Sequence, residues 1–194
     1  MTTFKIAVLV GSNRRESLNR KLAQALAKLG GDELAFSFVQ IDDLPLYNQD
    51  LEAELPNSVT RFKAEISSAD GLLFVTPEHN RSIPTVLKNA IDWGARPYGQ
   101  NSWSGKPAAI TGTSPGLIGT AVAQQHLRQM LGVLGALVMG GEAYISFKPG
   151  LIDHEGVIPD ESTRTFLKNF VDQFSVLVTR LSPGSSELLR EAVA

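Results

Sequence analysis

Three short stretches of the chain hold residue types whose spacing can do chemistry. The first is GSNRRESLN, Gly11–Asn19. An apolar, strand-like run feeds it and a helix-like run leaves it. A helix start presents unpaired N–H groups and the positive end of the helix dipole, which suits an anion. Ser12, Ser17 and Asn19 add neutral donors there, and Arg14 or Arg15 adds charge. A phosphate monoester fits that set; so does a serine cap beside solvated arginines. The second stretch is TPEHNRSIP, Thr76–Pro84. Its prolines stiffen both ends and crowd Glu78, His79, Asn80, Arg81 and Ser82 at the end of a strand. Rigid backbone N–H groups suit a planar heterocycle with carbonyls and ring nitrogens. Glu78 reads equally as a structural anchor paired with Arg81, and His79 has no evident acid–base partner. The third is GTSPGLIG, Gly112–Gly119, where Gly116 and Gly119 permit close backbone approach and Ser114 is a donor. An ordinary turn ahead of a helix has the same look.

These loops need elements to position them. Lys5–Val10 is a near-continuous apolar run, the pattern of a strand buried on both faces. Leu18, Leu22, Ala25, Leu26 and Leu29 repeat at helical spacing up to Gly30-Gly31. Leu34–Ile41 alternates like a strand nearer an edge, and a long polar loop follows. Asn57 or Ser58 caps a second helix with Val59, Phe62 and Ile66 on one face. Gly71–Thr76 is a third strand, and Pro84 opens a helix whose apolar face is Val86, Leu87, Ala90 and Ile91. Pro107–Gly112 is a fourth strand. The helix after the third loop runs to about Leu134, with Leu127, Met130, Leu131 and Leu134 inward, and Ala136–Met139 starts a fifth strand. Asp160 caps a last helix in which Phe166, Phe170, Phe174, Leu177 and Leu181 recur. Residues 1–182 form one domain, and 183–194 read as a loose tail. Strand–helix alternation implies an α/β fold with a five-stranded parallel sheet covered on both sides. Ligands of such sheets bind outside the carboxyl ends of the strands, where all three loops lie.

Composition narrows the function. The chain has 194 residues, 43% of them hydrophobic, enough for one well-filled core. Net charge is −2 with no strongly basic stretch, which gives no nucleic-acid surface. There is no cysteine, so thiolate nucleophiles and Cys-based metal sites are excluded, and the three histidines are far apart without ligand spacing. No run approaches a membrane span, and the N-terminal apolar run is too short for a signal peptide. A soluble, cytoplasmic protein is expected. The Walker pattern and the dinucleotide fingerprint are both absent; Asp42-Asp43 after the second strand reads as a turn.

Taken together, G-S-x-R-x-x-S-x-N (Gly11–Asn19) and P-E-x-N-x-S-x-P-x-x-L-K-N-A-I-D-W (Pro77–Trp93) resemble the NADPH-dependent FMN reductase family of flavodoxin-like proteins, which includes quinone and chromate reductases. The third loop and H-L-R-Q (His126–Gln129) agree, so the resemblance covers about Lys5 to Phe174. It implies a flavodoxin-like three-layer αβα sandwich and bound FMN. It carries over Ser12, Arg14, Ser17 and Asn19 as phosphate contacts, helped by the Leu18 backbone. Pro77, Glu78, His79 and Asn80 would lie along the isoalloxazine with Ser82 nearby, and Ser114 and Gly116 would close the other edge. It implies a homodimer or a homotetramer, with the helix of Asn89, Asp92 and Trp93 near the partner. No protein acid or base is needed, because the cofactor carries the chemistry. NADPH or NADH would be the transient donor in a ping-pong scheme. Quinones are the expected acceptors; chromate, ferric complexes and azo compounds are secondary ones.

Two positions depart from the family pattern. His79 stands where relatives commonly carry Tyr, and Val122 where close relatives often carry Arg on a helix that helps join dimers. The first bears on flavin stacking, the second on the tetramer. Alternatives on the same fold are an electron carrier without NAD(P)H oxidation, a reductase that uses free FMN as substrate, and a flavin-free binding module. Near-neutral charge counts against docking through an acidic face.

Overall fold

The computed structural model describes residues 3–181; the tail expected at 183–194 lies outside the described residues. Strands β1 (Phe4–Val10), β2 (Leu34–Phe38), β3 (Gly71–Val75), β4 (Pro107–Ser114) and β5 (Leu137–Val138) make a parallel sheet in the order β2-β1-β3-β4-β5. A further strand, β6 (Tyr144–Ser146), pairs with β4 beyond β5. The helices are α1 (Leu18–Leu29), α2 (Asn57–Ser68), α3 (Thr85–Ala95), α4 (Ala121–Val133) and α5 (Glu161–Leu181).

Alternation along the strands builds two cores. Leu9, Leu72, Phe74 and Ile110 face one side, against Phe62 and Ile66 of α2, Leu87 and Trp93 of α3, and Leu127 of α4. Ile6, Val8, Leu73 and Val75 face the other, against Leu22 and Leu26 of α1 and Leu167, Phe170 and Phe174 of α5. The result is the expected flavodoxin-like three-layer αβα sandwich. With β1 flanked by β2 on one side and β3 on the other, the chain reverses direction across the sheet at β1/β3, the switch point where a ligand crevice opens. No helix among the described residues is long and apolar enough to cross a membrane.

Several boundaries differ from the sequence expectation, each for a physical reason. β2 stops at Phe38: the Val39 N–H still donates to the Val8 carbonyl at 3.0 Å, and beyond it the chain turns, with Val39, Ile41 and Leu44 buried in the α2–α3 core. The start of α2 has no side-chain cap from Asn57 or Ser58; Pro56 precedes the helix and its carbonyl accepts from the N–H groups of Val59 and Thr60. Pro84 serves α3 in the same way, one position ahead of the helix. The fifth strand is short because Gly140-Gly141 breaks it, and the Arg128 guanidinium holds that break through the Met139 and Gly141 carbonyls. β6 then takes over along Gly112–Ser114, which makes β4 two residues longer than expected. In α5 the inward stripe is Leu167, Phe170, Val171, Phe174 and Val178, so Phe166 and Leu181 point outward at 47% and 42% exposure.

Candidate functional site

The three loops leave the carboxyl ends of β1, β3 and β4, three adjacent strands, and they are tied to one another. Gly11 N–H donates to the Val75 carbonyl at 2.9 Å. The Asn19 side chain bridges α1 to β4: its Nδ2 donates to the Thr113 carbonyl and its Oδ1 accepts from the Thr113 N–H, both at 2.9 Å. That amide is therefore used up inside the protein. Thr76 N–H donates to the Thr111 carbonyl at 3.0 Å. The backbones approach so closely that a Cβ on Gly112 would lie 1.9 Å from the Thr76 carbonyl oxygen, and one on Gly11 2.7 Å from the Thr76 hydroxyl. These two positions need glycine for close approach.

At the first loop, Ser17 is the N-cap of α1, with extended backbone and its hydroxyl accepting from the Arg20 N–H at 3.2 Å. The Lys21 N–H goes to the Ser17 carbonyl. Among the described residues, the N–H groups of Leu18 and Asn19 take no acceptor, so they stand open at the helix start. Ser17 and Asn19 are buried, Ser12 is half-buried and Arg14 is exposed. Glu16 pairs with Lys21 at 3.1 Å, while Arg14 and Arg15 make no ion pair among the described residues.

At the second loop the backbone itself is the built object. His79 N–H donates to the Ser82 carbonyl and Ser82 N–H to the His79 carbonyl, each at 2.9 Å. Asn80 and Arg81 between them have φ of 50° and 63°. Two left-handed residues closing a two-residue turn are the geometry of a type I′ hairpin. Neither is glycine, so the surrounding structure must hold the turn against its backbone cost. Glu78 supplies that hold. One carboxylate oxygen accepts from Arg81 at 3.0 Å, and the other accepts from the N–H groups of Val122 and Ala123 at 3.0 and 3.1 Å. A side chain only 8% exposed thus caps α4 from a loop more than forty residues earlier. Val122 thereby gives the site its backbone rather than its side chain. The His79 ring is exposed, Pro77 is half-buried, and the N–H groups of Glu78, Asn80 and Arg81 take no acceptor among the described residues.

The third loop is knotted at its base. The Ser114 hydroxyl donates to the Gly119 carbonyl at 2.6 Å and accepts from the Gly116 N–H at 3.3 Å. Ser114 and Gly116 therefore sit together beside the other two loops.

Sequence reasoning missed what lies beyond the second loop. His126 on α4 faces Ser82, its Nδ1 3.2 Å from the serine hydroxyl. Between α3, α4 and residues 46–47 is a cavity of about 660 Å³. The polar loop after β2 forms one wall, strapped to α3. Asn89 accepts from the Tyr47 N–H at 2.8 Å, and Asn89 and Trp93 both donate to the Pro45 carbonyl, at 2.9 and 2.7 Å. Arg96 donates to Glu52 at 2.8 Å and to the Tyr47 hydroxyl, which itself donates to Glu52 at 2.6 Å. The Tyr47 hydrogen bond, then Arg96, holds the Glu52 carboxyl below its ordinary value, and the Glu52 carboxylate pushes the Tyr47 phenol up. Asn89 and Trp93 are thus spent within the chain, and Asp92 pairs with Lys88. The signal that could have found this wall was Asn89 and Trp93, polar groups on the apolar face of a helix.

A family model described as NADPH-dependent FMN reductase matches residues 4–150. The chain belongs to this family. The three loops and the whole sheet fall inside the matched FMN reductase span, and α5 lies beyond it. Among curated proteins, a 2-hydroxy-1,4-benzoquinone reductase from a Burkholderia species is 51% identical over 90% of this chain and 96% of that one. A quinone reductase from Pseudomonas putida is 52% identical over 89% of this chain and 93% of that one. Among solved structures, the flavoenzyme NAD(P)H:(acceptor) oxidoreductase FerB from Paracoccus denitrificans superposes with a TM-score of 0.89. It is 49% identical and is covered to 98%, over 92% of this chain.

Proposed function

We propose that this FMN reductase family member is an NAD(P)H-dependent quinone reductase that retains FMN across the three loops. The observation that carries the reading is the pair of open donor sets at one end of the sheet. At α1, the Leu18 and Asn19 N–H groups and the hydrogen of the Ser17 hydroxyl meet no acceptor among the described residues. Ser12 and Arg14, which has no ion pair among the described residues, complete a set that suits a doubly charged phosphate. Asn19 serves by fixing the loop to β4, not through its spent amide. At the hairpin, the N–H groups of Glu78, Asn80 and Arg81 are held in a fixed array, which suits the carbonyl and ring-nitrogen edge of a flavin. Ser114 and Gly116 border the same crevice from β4. The glycine contacts at Gly11 and Gly112 keep its floor at backbone level.

When bound, FMN supplies two-electron carriage between NAD(P)H and an acceptor. The chain's own groups bind and orient. Glu78 acts as an anchor rather than an acid, because both its oxygens already accept hydrogen bonds. The names of relatives about half identical support a quinone as the acceptor; chromate, ferric complexes and azo compounds are secondary acceptors for an open site. The homodimer is the oligomer proposed, and the cytoplasm, where NAD(P)H is supplied, is the proposed compartment.

An anaerobic absorbance spectrum before and after NADPH tests the reading. A yellow protein that bleaches, and recolours with 1,4-benzoquinone, is the expected result. Yellow protein indifferent to NADPH and NADH would make it an electron carrier instead. Colourless protein that reduces added FMN would make the flavin a substrate.

A further inference from the structure

We propose that an ordered water molecule is built into the seam between α4 and residues 139–143, where it accepts from the Arg128 Nε–H and donates to Gln124 Oε1. The site is made within one chain and does not depend on the proposed function.

The inward face of α4 carries a polar stripe. Thr120, Gln124 and Arg128 recur every four residues, so they stand one turn apart on the same face. Thr120 and Gln124 are fully buried. Gln124 Nε2 donates to the Thr120 hydroxyl at 3.0 Å and to the Ala143 carbonyl at 3.1 Å. A carbonyl only accepts, so Ala143 fixes which end of the amide is the nitrogen. Turning the amide over would set two acceptors against each other. Arg128 donates from one terminal nitrogen to the Met139 carbonyl at 2.7 Å and from the other to the Gly141 carbonyl. Both side chains thus end on the segment where Gly140-Gly141 divides the fifth strand.

Each side chain then has one polar atom left over. Gln124 Oε1 and Arg128 Nε are buried and have no hydrogen-bond partner among the described residues. One is an acceptor and the other a donor. Long helical side chains lean toward the helix N-terminus, which brings the Arg128 stem over the turn of Gln124. Native proteins rarely leave buried polar groups unsatisfied, because the lost hydration goes uncompensated. Two such atoms in one i,i+4 pair point to a shared partner. That partner has to accept on one side, donate on the other and carry no charge. The guanidinium repels a cation, and the Oε1 lone pairs repel an anion. A single water meets all three conditions, and a seam with polar atoms on both sides holds it where an apolar one stays dry. With the segment held in this way, β6 lies along Gly112–Ser114, and the Phe147 N–H donates to the Ser114 carbonyl at 2.8 Å, at the base of the third loop.

A crystal structure of the full chain as purified, at about 1.5 Å, tests the site: one solvent peak is expected within about 3.2 Å of both Gln124 Oε1 and Arg128 Nε. Oxygen-17 relaxation dispersion, which counts long-lived internal waters, gives the solution counterpart. Wild type should hold one more such water than Gln124→Met, which keeps the length of the side chain but removes the acceptor, so that only one partner remains. Empty density between the two atoms overturns the proposal. So does a direct contact between them, a protein side chain in the gap, or a peak with the contacts and scattering of an ion. Equal water counts in wild type and Gln124→Met overturn it as well. The crystallographic arm uses wild type, so the test stands even where Gln124→Met fails to fold.

Discussion

The loop after β1 and the loop after β3 border one crevice but are built in opposite ways. After β1, the side chains are left unspent: Arg14 has no ion pair among the described residues, and the α1 N–H groups point into the open. After β3, the side chains are spent on the protein itself. Glu78 ties the turn to α4, Ser82 meets His126, and what faces the crevice is backbone. In the proposed function the difference follows from what each end would hold. A phosphate is small, doubly charged and satisfied by any converging donors, so mobile cations serve it. A ring edge needs donors at fixed spacing, so the backbone must be rigid and side chains become its scaffold. Substitutions should therefore separate the two loops: scaffold changes cost folding and binding together, whereas cradle changes cost binding alone.

The sharpest break comes where backbone meets backbone beneath both loops. Gly112→Ala would set a methyl group 1.9 Å from the Thr76 carbonyl oxygen and 2.5 Å from the Thr120 hydroxyl. Neither β3 nor β4 can yield without breaking its ladder, so we expect a loss of at least about 3 kcal/mol and purification without flavin. Thermal melting and the flavin-to-protein ratio check both halves. A variant that melts like wild type with full flavin would mean that the crevice floor is softer than drawn.

Next comes the scaffold. Glu78→Ala leaves the Val122 and Ala123 N–H groups and Arg81 without their carboxylate. Loss of a nearly buried charged cap costs about 1–3 kcal/mol, read by urea unfolding of the apoprotein. FMN affinity should fall as well, because the left-handed turn at Asn80 and Arg81 loses its anchor. Arg14→Ala tests the opposite case. Losing one charge-assisted hydrogen bond should raise the FMN dissociation constant about tenfold or more, with apoprotein unfolding unchanged. If Arg14→Ala destabilised the apoprotein while Glu78→Ala did not, the contrast between the loops would be reversed.

The same contrast explains what the sequence could tell. The αβα layering was legible because it rests on periodicity, which is local: Lys5–Val10 reads as buried and Leu22 and Leu26 as inward without any partner in view. The proposed cradle rests on residues that follow one another from Gly11 to Asn19, so it could be put forward from the sequence alone. The scaffold roles were not. Nothing near Glu78 says that its carboxylate reaches Val122, or that the Asn19 amide spans to Thr113, because both contacts are made by the fold. The H-L-R-Q run could be matched to a family without showing that His126 faces Ser82 and Arg128 pins the β5–β6 break. The divided fifth strand was hidden for the same reason, since Tyr144–Ser146 is too short to stand out and pairs only because β4 is there.

Helix caps give the smallest and cleanest version of this comparison. Asp160 caps α5 from the adjoining position and was legible; Glu78 caps α4 from afar and was not. Hydrogen bonds from the Thr163 side chain, then the Thr163 N–H, then the Ser162 hydroxyl hold the Asp160 carboxyl down to about 2, from an ordinary 3.8. The folded value is the lower one, so the native state favours the ionised form. Its stabilisation is complete above about pH 4 and is lost as pH falls toward 2. Asp160→Asn keeps an acceptor at the cap but cannot ionise. It should be less stable than wild type at pH 6 and pH 4, and the gap should narrow in urea melts taken at pH 3 and pH 2.5. A gap that stays constant over that range would place the stabilisation in the shape of the cap rather than its charge. The same would then be expected of Glu78 at α4, where Glu78→Gln would hold the hairpin as well as the carboxylate does.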